Sequence, residues 1–298
     1  DAVRRQLHHV RTALRDQHAR GRAEIPGERL TVLAVAHHAA GRSDRNRGRS
    51  DHHHRPHAGP SHAVHRTQGA GPGVVFLGGF KSDMTGTKAL YLQDWAAQSG
   101  RAFLRFDYSG HGVSSGDFLD GAIGDWFEDA LAVVSQLTEG PQVLVGSSMG
   151  GWIALQLARA VPERVAGLVG IAAAPDFTED SMWAGFSEAE RAALVTVGHV
   201  ARPSDYSPDP YIITRRLIEE GRSRLVLRDP LPLPFPVRLL QGTADTDVPP
   251  AVALRLLEHA TCADMRLTLV KGADHRFSTP DCLAMIAQAV EEVVTAAR

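Results

Sequence analysis

From about residue 71 to the C-terminus, short apolar runs alternate with longer stretches of helical character. The apolar runs are rich in β-branched residues, which is typical of strands buried on both faces. They lie at residues 74–77, 102–106, 143–145, 165–171, 237–241 and 265–270. The helical stretches lie at residues 87–98, 124–138, 149–160, 250–259 and 281–297. This alternation predicts the α/β class, with a mostly parallel central sheet flanked by helices.

One long insertion interrupts the alternation at about residues 174–235. It is helical in places, rich in turn-forming residues, and it ends in prolines at positions 230, 232, 234 and 236. Proline lacks the N–H group that a strand ladder requires, so the next central strand should begin at about Val237. An insertion of this size between two strands predicts a helical cap over an active site.

The first 70 residues differ in composition from the rest of the chain. They contain 13 Arg, no Lys and 6 acidic residues, whereas the remainder contains 19 basic and 28 acidic residues. They also hold 11 of the 15 histidines and none of the 18 aromatic residues. A segment without aromatic side chains has little apolar surface to offset its ordering entropy. We therefore predict an Arg/His-rich segment over 1–70 that is mostly disordered or a translation artefact, and a folded domain over 71–298.

The histidines of this segment offer an alternative, a metal site formed by residues 52–54 with His57, His62 and His65. Imidazole is a good ligand, but a site also needs a fixed geometry that a segment rich in Gly and Pro does not supply. We therefore predict no metal site. No aromatic platform accompanies the arginines, so we expect no nucleic-acid partner. The longest apolar runs are about seven residues, and about twenty are needed to cross a bilayer, so we expect no membrane span.

The strongest local motif is Gly146-Ser147-Ser148-Met149-Gly150. It follows an apolar strand and opens a helix, which is the context of a G-x-S-x-G nucleophile elbow. Small residues two before and two after Ser148 allow the strained turn that exposes its hydroxyl. A glycine-rich turn in which Ser148 only caps the helix is the alternative interpretation.

A serine hydroxyl needs a base, and two later strand ends supply an acid and a histidine. Asp245 follows the strand at 237–241, and His275 follows the strand at 265–270. The order Ser, acid, His and the placement at strand ends predict a catalytic triad of Ser148, Asp245 and His275. Asp247 and Asp274 lie beside these residues and are predicted to be turn or supporting residues.

An oxyanion hole needs two backbone N–H groups where negative charge develops. We predict the N–H of Met149, which follows the nucleophile, and the N–H of Phe80, which follows Gly78-Gly79 at the end of an earlier strand. In the insertion, Met182, Trp183, Phe186 and Val195 are spaced for one helical face. We predict that part of this face, together with Phe80, lines an acyl site, with Trp183 and Phe186 as substrate-binding residues. Asp107 and His111 are predicted to shape the turn after a strand.

These motifs make the chain resemble an α/β-hydrolase from about residue 71 onwards. The runs at residues 80–89, 105–110, 146–152 and 274–276 further resemble the mitochondrial palmitoyl-protein thioesterase and acyl-glucuronide esterase family. The resemblance implies an α/β-hydrolase fold with a cap, hydrolysis of acyl thioesters and esters of small molecules or acylated proteins, and no metal or organic cofactor. It also implies a strand pair before Val74, which residues 1–70 do not resemble. The expected location is cytoplasmic, or mitochondrial in a eukaryote.

Three functions remain open at this point. A serine esterase or thioesterase is favoured, acting through an acyl-enzyme intermediate. The same triad could instead hydrolyse peptides or lactones. A hydrolase-fold protein that only binds ligands is the third reading, and the presence of all three triad residues argues against it.

Overall fold

The structure, a computed structural model, describes residues 31–34, 61–204 and 207–297. Its centre is an eight-stranded sheet with the order β1-β2-β4-β3-β5-β6-β10-β12. The pairs β1–β2 and β2–β4 are antiparallel, and all the remaining pairs are parallel. Its strands are β1 (Thr31–Ala34), β2 (Ser61–Thr67), β3 (Ala70–Leu77), β4 (Arg101–Phe106), β5 (Gln142–Ser147), β6 (Val165–Ile171), β10 (Val237–Gly242) and β12 (Met265–Val270).

Helices cover both faces of this sheet, as the alternating pattern predicts. The described α-helices are α1 (Thr87–Gln98), α2 (Ile123–Leu137), α3 (Met149–Ala160), α4 (Glu188–Thr196), α5 (Arg215–Gly221), α6 (Pro250–His259) and α7 (Pro280–Ala296). Apolar residues of α1 and α7 pack on one face of the sheet, and those of α2, α3 and α6 pack on the other. None of the helices within residues 61–204 and 207–297 is both long and apolar enough to cross a membrane. The predicted α/β architecture is confirmed.

The N-terminal prediction needs correction, because residues 61–67 form a strand inside the sheet. Strand β2 pairs with β4 on one side and with β1 on the other. Its Ala63 and Val64 are buried, and so is His62, whose Nε2 lies 3.3 Å from Oδ1 of Asp129. His62 is therefore a core residue and does not belong to an exposed metal site. The other predictions for 1–60, including the histidines at 52–54, lie outside the described residues apart from β1.

The insertion between β6 and β10 forms a cap of short elements. It contains a π-helix at Thr178–Trp183, the helices α4 and α5, and an antiparallel pair of β7 (His199–Arg202) and β8 (Tyr211–Thr214). A short parallel pair, β9 (Leu231–Pro232) with β11 (Ala260–Thr261), joins its end to the residues after α6. Strand β10 begins at Val237, as the proline pattern predicts.

Asp176 fixes the start of the cap. Its carboxylate is fully buried and accepts hydrogen bonds from the backbone N–H groups of Val226 (2.7 Å) and Leu227 (3.0 Å). The Arg228 guanidinium lies 2.9 Å from the same carboxylate. Burial raises the pKa of Asp176, and these three donors oppose the rise. One acidic residue therefore ties the first and last segments of the cap together.

Candidate active site

Ser148 lies in the sharp turn between β5 and α3. Its backbone has a φ of 54° and a ψ of −118°, a strained conformation for a residue with a side chain. The turn has no room for larger neighbours. A Cβ atom at Gly146 would lie 2.4 Å from the carbonyl oxygen of Gly150, and one at Gly150 would lie 2.0 Å from that of Leu77. The G-x-S-x-G motif therefore predicts this turn for a steric reason.

A chain of hydrogen bonds joins Ser148 to the two other residues that the sequence predicts. Nε2 of His275 lies 3.1 Å from Oγ of Ser148, and Nδ1 of His275 lies 2.8 Å from Oδ2 of Asp245. Ser148 follows β5, Asp245 follows β10 and His275 follows β12. Because parallel strands end at the same edge of the sheet, residues 127 and 30 positions apart in sequence meet at one place.

The carboxylate of Asp245 is buried, and each of its two oxygens accepts two hydrogen bonds. Its Oδ1 accepts from the N–H groups of Asp247 (2.9 Å) and Val248 (2.8 Å). Its Oδ2 accepts from His275 and from Nε2 of Gln241, which lies 3.0 Å away. Burial by itself would raise the pKa of Asp245, but the hydrogen bonds from His275, Val248 and Gln241 hold it below its ordinary value. Asp245 is therefore a carboxylate that can support a positive charge on His275.

The two neighbouring acids occupy turns. Asp247 is exposed, and its backbone N–H supports Asp245. Asp274 is also exposed, and its Oδ1 accepts from the N–H of Phe277 at 3.1 Å. Ligand atoms of Asp245, Asp247 and His275 lie within 4.8 Å of one another and could hold a cation. Such a cation would compete with the His275–Asp245 hydrogen bond.

The two backbone N–H groups predicted for an oxyanion hole belong to Met149, directly after Ser148, and to Phe80, in the loop after β3. Met149 is the first residue of α3, so its N–H has no acceptor within the helix and lies at the positive end of the helix dipole. Phe80 lies in a turn closed by a 3.1 Å hydrogen bond from the N–H of Ser82 to the carbonyl oxygen of Gly79. A Cβ atom at Gly79 would lie 3.5 Å from Cβ of Ser148, so this turn packs against the nucleophile elbow.

A cavity of about 500 Å³ surrounds Ser148 and His275. This volume lies within the range of about 300–1,000 Å³ that is usual for small-molecule sites. Its apolar lining residues are Phe80, Ala174, Phe177, Met182, Pro203, Tyr211 and Val248. Its ionisable lining residues are Lys81, Lys88, Asp247, His275 and Arg276. The cavity can therefore hold an apolar group beside Ser148 and a polar or anionic group near its three basic residues, Lys81, Lys88 and Arg276.

The predicted substrate-binding residues Trp183 and Phe186 lie outside the cavity lining that the structure describes. Their rings pack against each other with centroids 6.3 Å apart. Guanidinium groups stack on these rings from Arg191, Arg202 and Arg222. The prediction assumed one α-helical face, but residues Thr178–Trp183 form a π-helix, whose wider turn directs different side chains inward. Met182 reaches the cavity instead, and Val195 is 60% exposed.

Lys88, Phe177 and Tyr211 are among the cavity residues that sequence reasoning missed. Nζ of Lys88 donates to the carbonyl oxygen of Arg276, directly after His275. Burial lowers the pKa of Lys88 to about 8, although the charge of Asp274 opposes the change. Lys88 lies in the run at 80–89 that resembles the thioesterase family, which was the available signal. No periodicity marks Phe177 or Tyr211.

Asp107 has the turn-forming position that the sequence predicts. It is buried, and it accepts from the N–H groups of Met84 (2.7 Å) and Val113 (3.0 Å). Burial raises the pKa of Asp107 to about 6, and these two hydrogen bonds oppose the rise. Asp107 therefore joins the loop after β3 to the loop after β4.

Comparisons with known proteins identify the family of this chain. A family model described as "Serine aminopeptidase, S33" matches residues 72–231. The rat protein named "Palmitoyl-protein thioesterase ABHD10, mitochondrial" is 35% identical over 236 residues, which cover 79% of each chain. The human protein of the same name is 33% identical over 236 residues, covering 79% of this chain and 77% of that one.

Two solved structures are similar over nearly their whole length. A putative hydrolase from Agrobacterium vitis S4 is 40% identical with a TM-score of 0.79, covering 90% of this chain and 99% of that one. The mouse alpha/beta hydrolase domain-containing protein 10 is 30% identical with a TM-score of 0.76, covering 90% of this chain and 98% of that one. The fold, the family model and these relatives agree, and this chain belongs to the α/β-hydrolases, in the family of the palmitoyl-protein thioesterase ABHD10.

Proposed function

We propose that this protein is a serine hydrolase that cleaves acyl thioesters or esters through an acyl-enzyme intermediate. One observation carries the proposal: Ser148, His275 and Asp245 form a continuous hydrogen-bonded chain at a nucleophile elbow beside a cavity. A strained serine turn with a histidine and a buried carboxylate in this order is the arrangement that activates a hydroxyl group.

In the proposed reaction, Nε2 of His275 takes the hydroxyl proton as Oγ of Ser148 attacks the acyl carbonyl carbon. The developing oxyanion accepts hydrogen bonds from the N–H groups of Met149 and Phe80. Asp245 stabilises the imidazolium and holds its Nδ1–H. His275 then gives the proton to the leaving thiol or alcohol. Water attacks the acyl-enzyme by the same route, which releases the carboxylic acid and restores Ser148.

The lining of the cavity supports an acyl substrate. Phe177 and Met182 from the cap, with Phe80, offer apolar contact to an acyl chain, and each buried methylene contributes about 0.8 kcal/mol. The relatives at 33–35% identity are named palmitoyl-protein thioesterases, which supports thioesters of acylated proteins or of small thiols as the substrate class. No resident metal or organic cofactor has a role in this proposal.

Peptide hydrolysis is a second candidate, because the matching family model is described as a serine aminopeptidase. An aminopeptidase must bind a protonated amine, for which a carboxylate in the cavity is the natural partner. Within the described lining, Asp247 is the one carboxylate and three cations accompany it. This balance of charge favours an acyl ester or thioester over a free N-terminal amine.

A fluorophosphonate probe and a substrate panel test the proposal together. The wild-type protein and Ser147→Ala should react with the probe, whereas Ser148→Ala should not, because the proposed nucleophile is Oγ of Ser148, which lies 3.1 Å from Nε2 of His275. Ser147 is the matched control, since it precedes the nucleophile and lines the same cavity. Acyl thioesters, p-nitrophenyl esters and aminoacyl amides of equal size should then be turned over in that order. Labelling that survives in Ser148→Ala would reject the nucleophile, and faster cleavage of the amides would favour the peptidase.

A further inference from the structure

His111 is a buried histidine for which the proposed reaction has no use. It lies in the loop after β4 and is 2% exposed. Its ring lies edge-on to three aromatic rings, those of Tyr108 (5.5 Å), Phe118 (5.1 Å) and Trp126 (5.0 Å). Both ring nitrogens nevertheless have polar contacts. Nδ1 lies 3.2 Å from the carbonyl oxygen of Ser109, and Nε2 lies 3.3 Å from the backbone nitrogen of Lys81.

These two contacts define the tautomer of His111. The backbone N–H of Lys81 can only donate, so Nε2 must accept. The carbonyl oxygen of Ser109 can only accept, so Nδ1 must carry the hydrogen. Ser109 is itself held from α2, because its N–H and its hydroxyl group both donate to Oδ2 of Asp129, at 2.8 Å and 2.6 Å. The acceptor that Lys81 meets is therefore fixed in place by the packed core.

Lys81 needs such an acceptor because of its position in a turn. Residues 79–82 form a β-turn, closed by the hydrogen bond from Ser82 N–H to the Gly79 carbonyl. Lys81 is the third residue and has a φ of 58°. Because φ is positive at Lys81 but not at Phe80, the turn is of type II, which normally requires Gly or Asn at the third residue. Type I and type II turns differ by a flip of the central peptide, and the N–H of that peptide is the one that His111 accepts.

The same turn carries Phe80, whose N–H is the proposed second oxyanion donor. The ring of Phe80 packs on two of the rings that surround His111, at 5.0 Å from Phe118 and 5.9 Å from Trp126. The hydroxyl group of Tyr108 also donates to the carbonyl oxygen of Gly78 at 3.4 Å, so the loop after β4 holds the turn at a second point.

We propose that His111 is a positioning residue, whose neutral imidazole accepts from the Lys81 N–H, holds the Gly79–Ser82 turn in the type II form and so fixes the place of Phe80, whose own N–H faces the oxyanion. The inference rests on the proposed function, because it presumes that Phe80 donates to the oxyanion of an acyl-transfer reaction. His111 itself touches neither the substrate nor the triad in this account. Without the acceptor, the central peptide is free to flip, and Lys81 relaxes to a negative φ.

Two amide substitutions separate the two ring nitrogens. In His111→Gln the side-chain oxygen can take the place of Nε2 and accept from Lys81, whereas His111→Asn reaches only the place of Nδ1 and can donate to Ser109. We expect His111→Gln to keep kcat within about threefold, because it keeps the acceptor. We expect His111→Asn to lose about 10²-fold in kcat, as misplacement by about 1 Å costs in other active sites. KM for a p-nitrophenyl ester should change by less than threefold in both.

Two further measurements distinguish a positioning histidine from one that only stabilises the fold. The inhibition constant of phenylboronic acid, whose tetrahedral adduct occupies an oxyanion hole, should rise in His111→Asn by the same factor as kcat falls. The double variant Lys81→Gly/His111→Asn should regain at least a tenth of the kcat that His111→Asn loses, after correction for the effect of Lys81→Gly alone. The reason is that glycine adopts a positive φ without strain. Melting temperatures of the two amide variants provide the check on folding.

Three results would overturn the inference. They are a wild-type kcat in His111→Asn, an equal loss in both amide variants at equal melting temperature, and an unchanged boronic acid affinity in a slow His111→Asn enzyme. Each leaves the proposed function intact, provided that Ser148 still reacts with a fluorophosphonate. If the wild-type protein did not react with a fluorophosphonate, the proposed function itself would be rejected.

Discussion

Asp245→Asn should abolish most of the activity while keeping the fold, because it reverses the hydrogen-bond polarity at His275. The N–H groups of Asp247 and Val248 both donate to Oδ1 of Asp245. An asparagine must therefore keep its carbonyl oxygen at that position. Its NH2 group then replaces Oδ2, which lies 2.8 Å from Nδ1 of His275, and donates where the carboxylate accepts.

This change at Nδ1 also alters the hydrogen bond between His275 and the nucleophile Ser148. With Nδ1 forced to accept, the hydrogen of the neutral ring moves to Nε2 and points at Oγ of Ser148, 3.1 Å away. His275 can then no longer take the hydroxyl proton. A wrong tautomer of this kind costs about 10⁴-fold in kcat, which corresponds to about 5 kcal/mol of transition-state stabilisation. The loss also removes the charge that stabilises the imidazolium.

Asp247→Asn is the matched control, because Asp247 contributes its backbone N–H to Asp245 and that group survives the substitution. We expect it to retain kcat within about tenfold, since exposed carboxylates contribute little. Initial rates with a p-nitrophenyl ester, with active sites counted by fluorophosphonate titration, give kcat for both variants. If Asp245→Asn kept a tenth of the wild-type kcat while Asp247→Asn lost 10³-fold, the triad acid would be Asp247 and the tautomer argument would be refuted.

Three further outcomes follow from the geometry. Met182→Ala should flatten the rise of kcat/KM from acetyl to octanoyl p-nitrophenyl esters, whereas Trp183→Ala, outside the cavity, should not; equal effects would contradict the π-helical placement. Burial lowers the pKa of Lys88 from 10.5 to about 8, so between these pH values the folded state binds fewer protons than the unfolded state. In urea titrations from pH 8 to 10.5, the free energy of unfolding of the wild type should therefore rise relative to that of Lys88→Met. A difference that stays constant over this range would contradict the lowered pKa. Deletion of residues 1–67 should lower the melting temperature more than deletion of residues 1–60, since only the longer deletion removes β2. Equal melting temperatures would show that β2 does not contribute to the stability of the sheet.

The turn at Ser148 and the meeting of Ser148, Asp245 and His275 could be predicted because both depend on local sequence patterns. A Cβ atom at Gly146 or Gly150 would lie less than 2.5 Å from a backbone carbonyl oxygen, so the turn itself requires the two glycines of the motif. Asp245 and His275 could be placed because strand ends are visible as changes from apolar runs to turn residues. Parallel pairing then brings those ends to one edge without any further information.

The lining of the cavity could not be predicted in the same way. Met182 and Trp183 are adjacent, and the choice of which one reaches Ser148 depends on a π-helical turn between Thr178 and Trp183. Hydrophobic spacing assumes a period of 3.6 residues and cannot register such a change. Tyr211 reaches the cavity from a two-stranded hairpin of the cap, and its place is set by tertiary packing alone.

Strand β2 was missed for a different physical reason. A composition taken over 70 residues averages a seven-residue strand with its surroundings, and β2 buries only two apolar side chains, Ala63 and Val64, one on each face of the sheet. The third buried side chain is His62, which counts as polar in any scale. Its Nε2 lies 3.3 Å from Oδ1 of Asp129 and its Nδ1 lies 3.3 Å from the carbonyl oxygen of Asp107, and polar neighbours of this kind lower the cost of burying a histidine. Predicting such a strand therefore depends on partners from a distant loop and a distant helix, which no local window of the sequence contains.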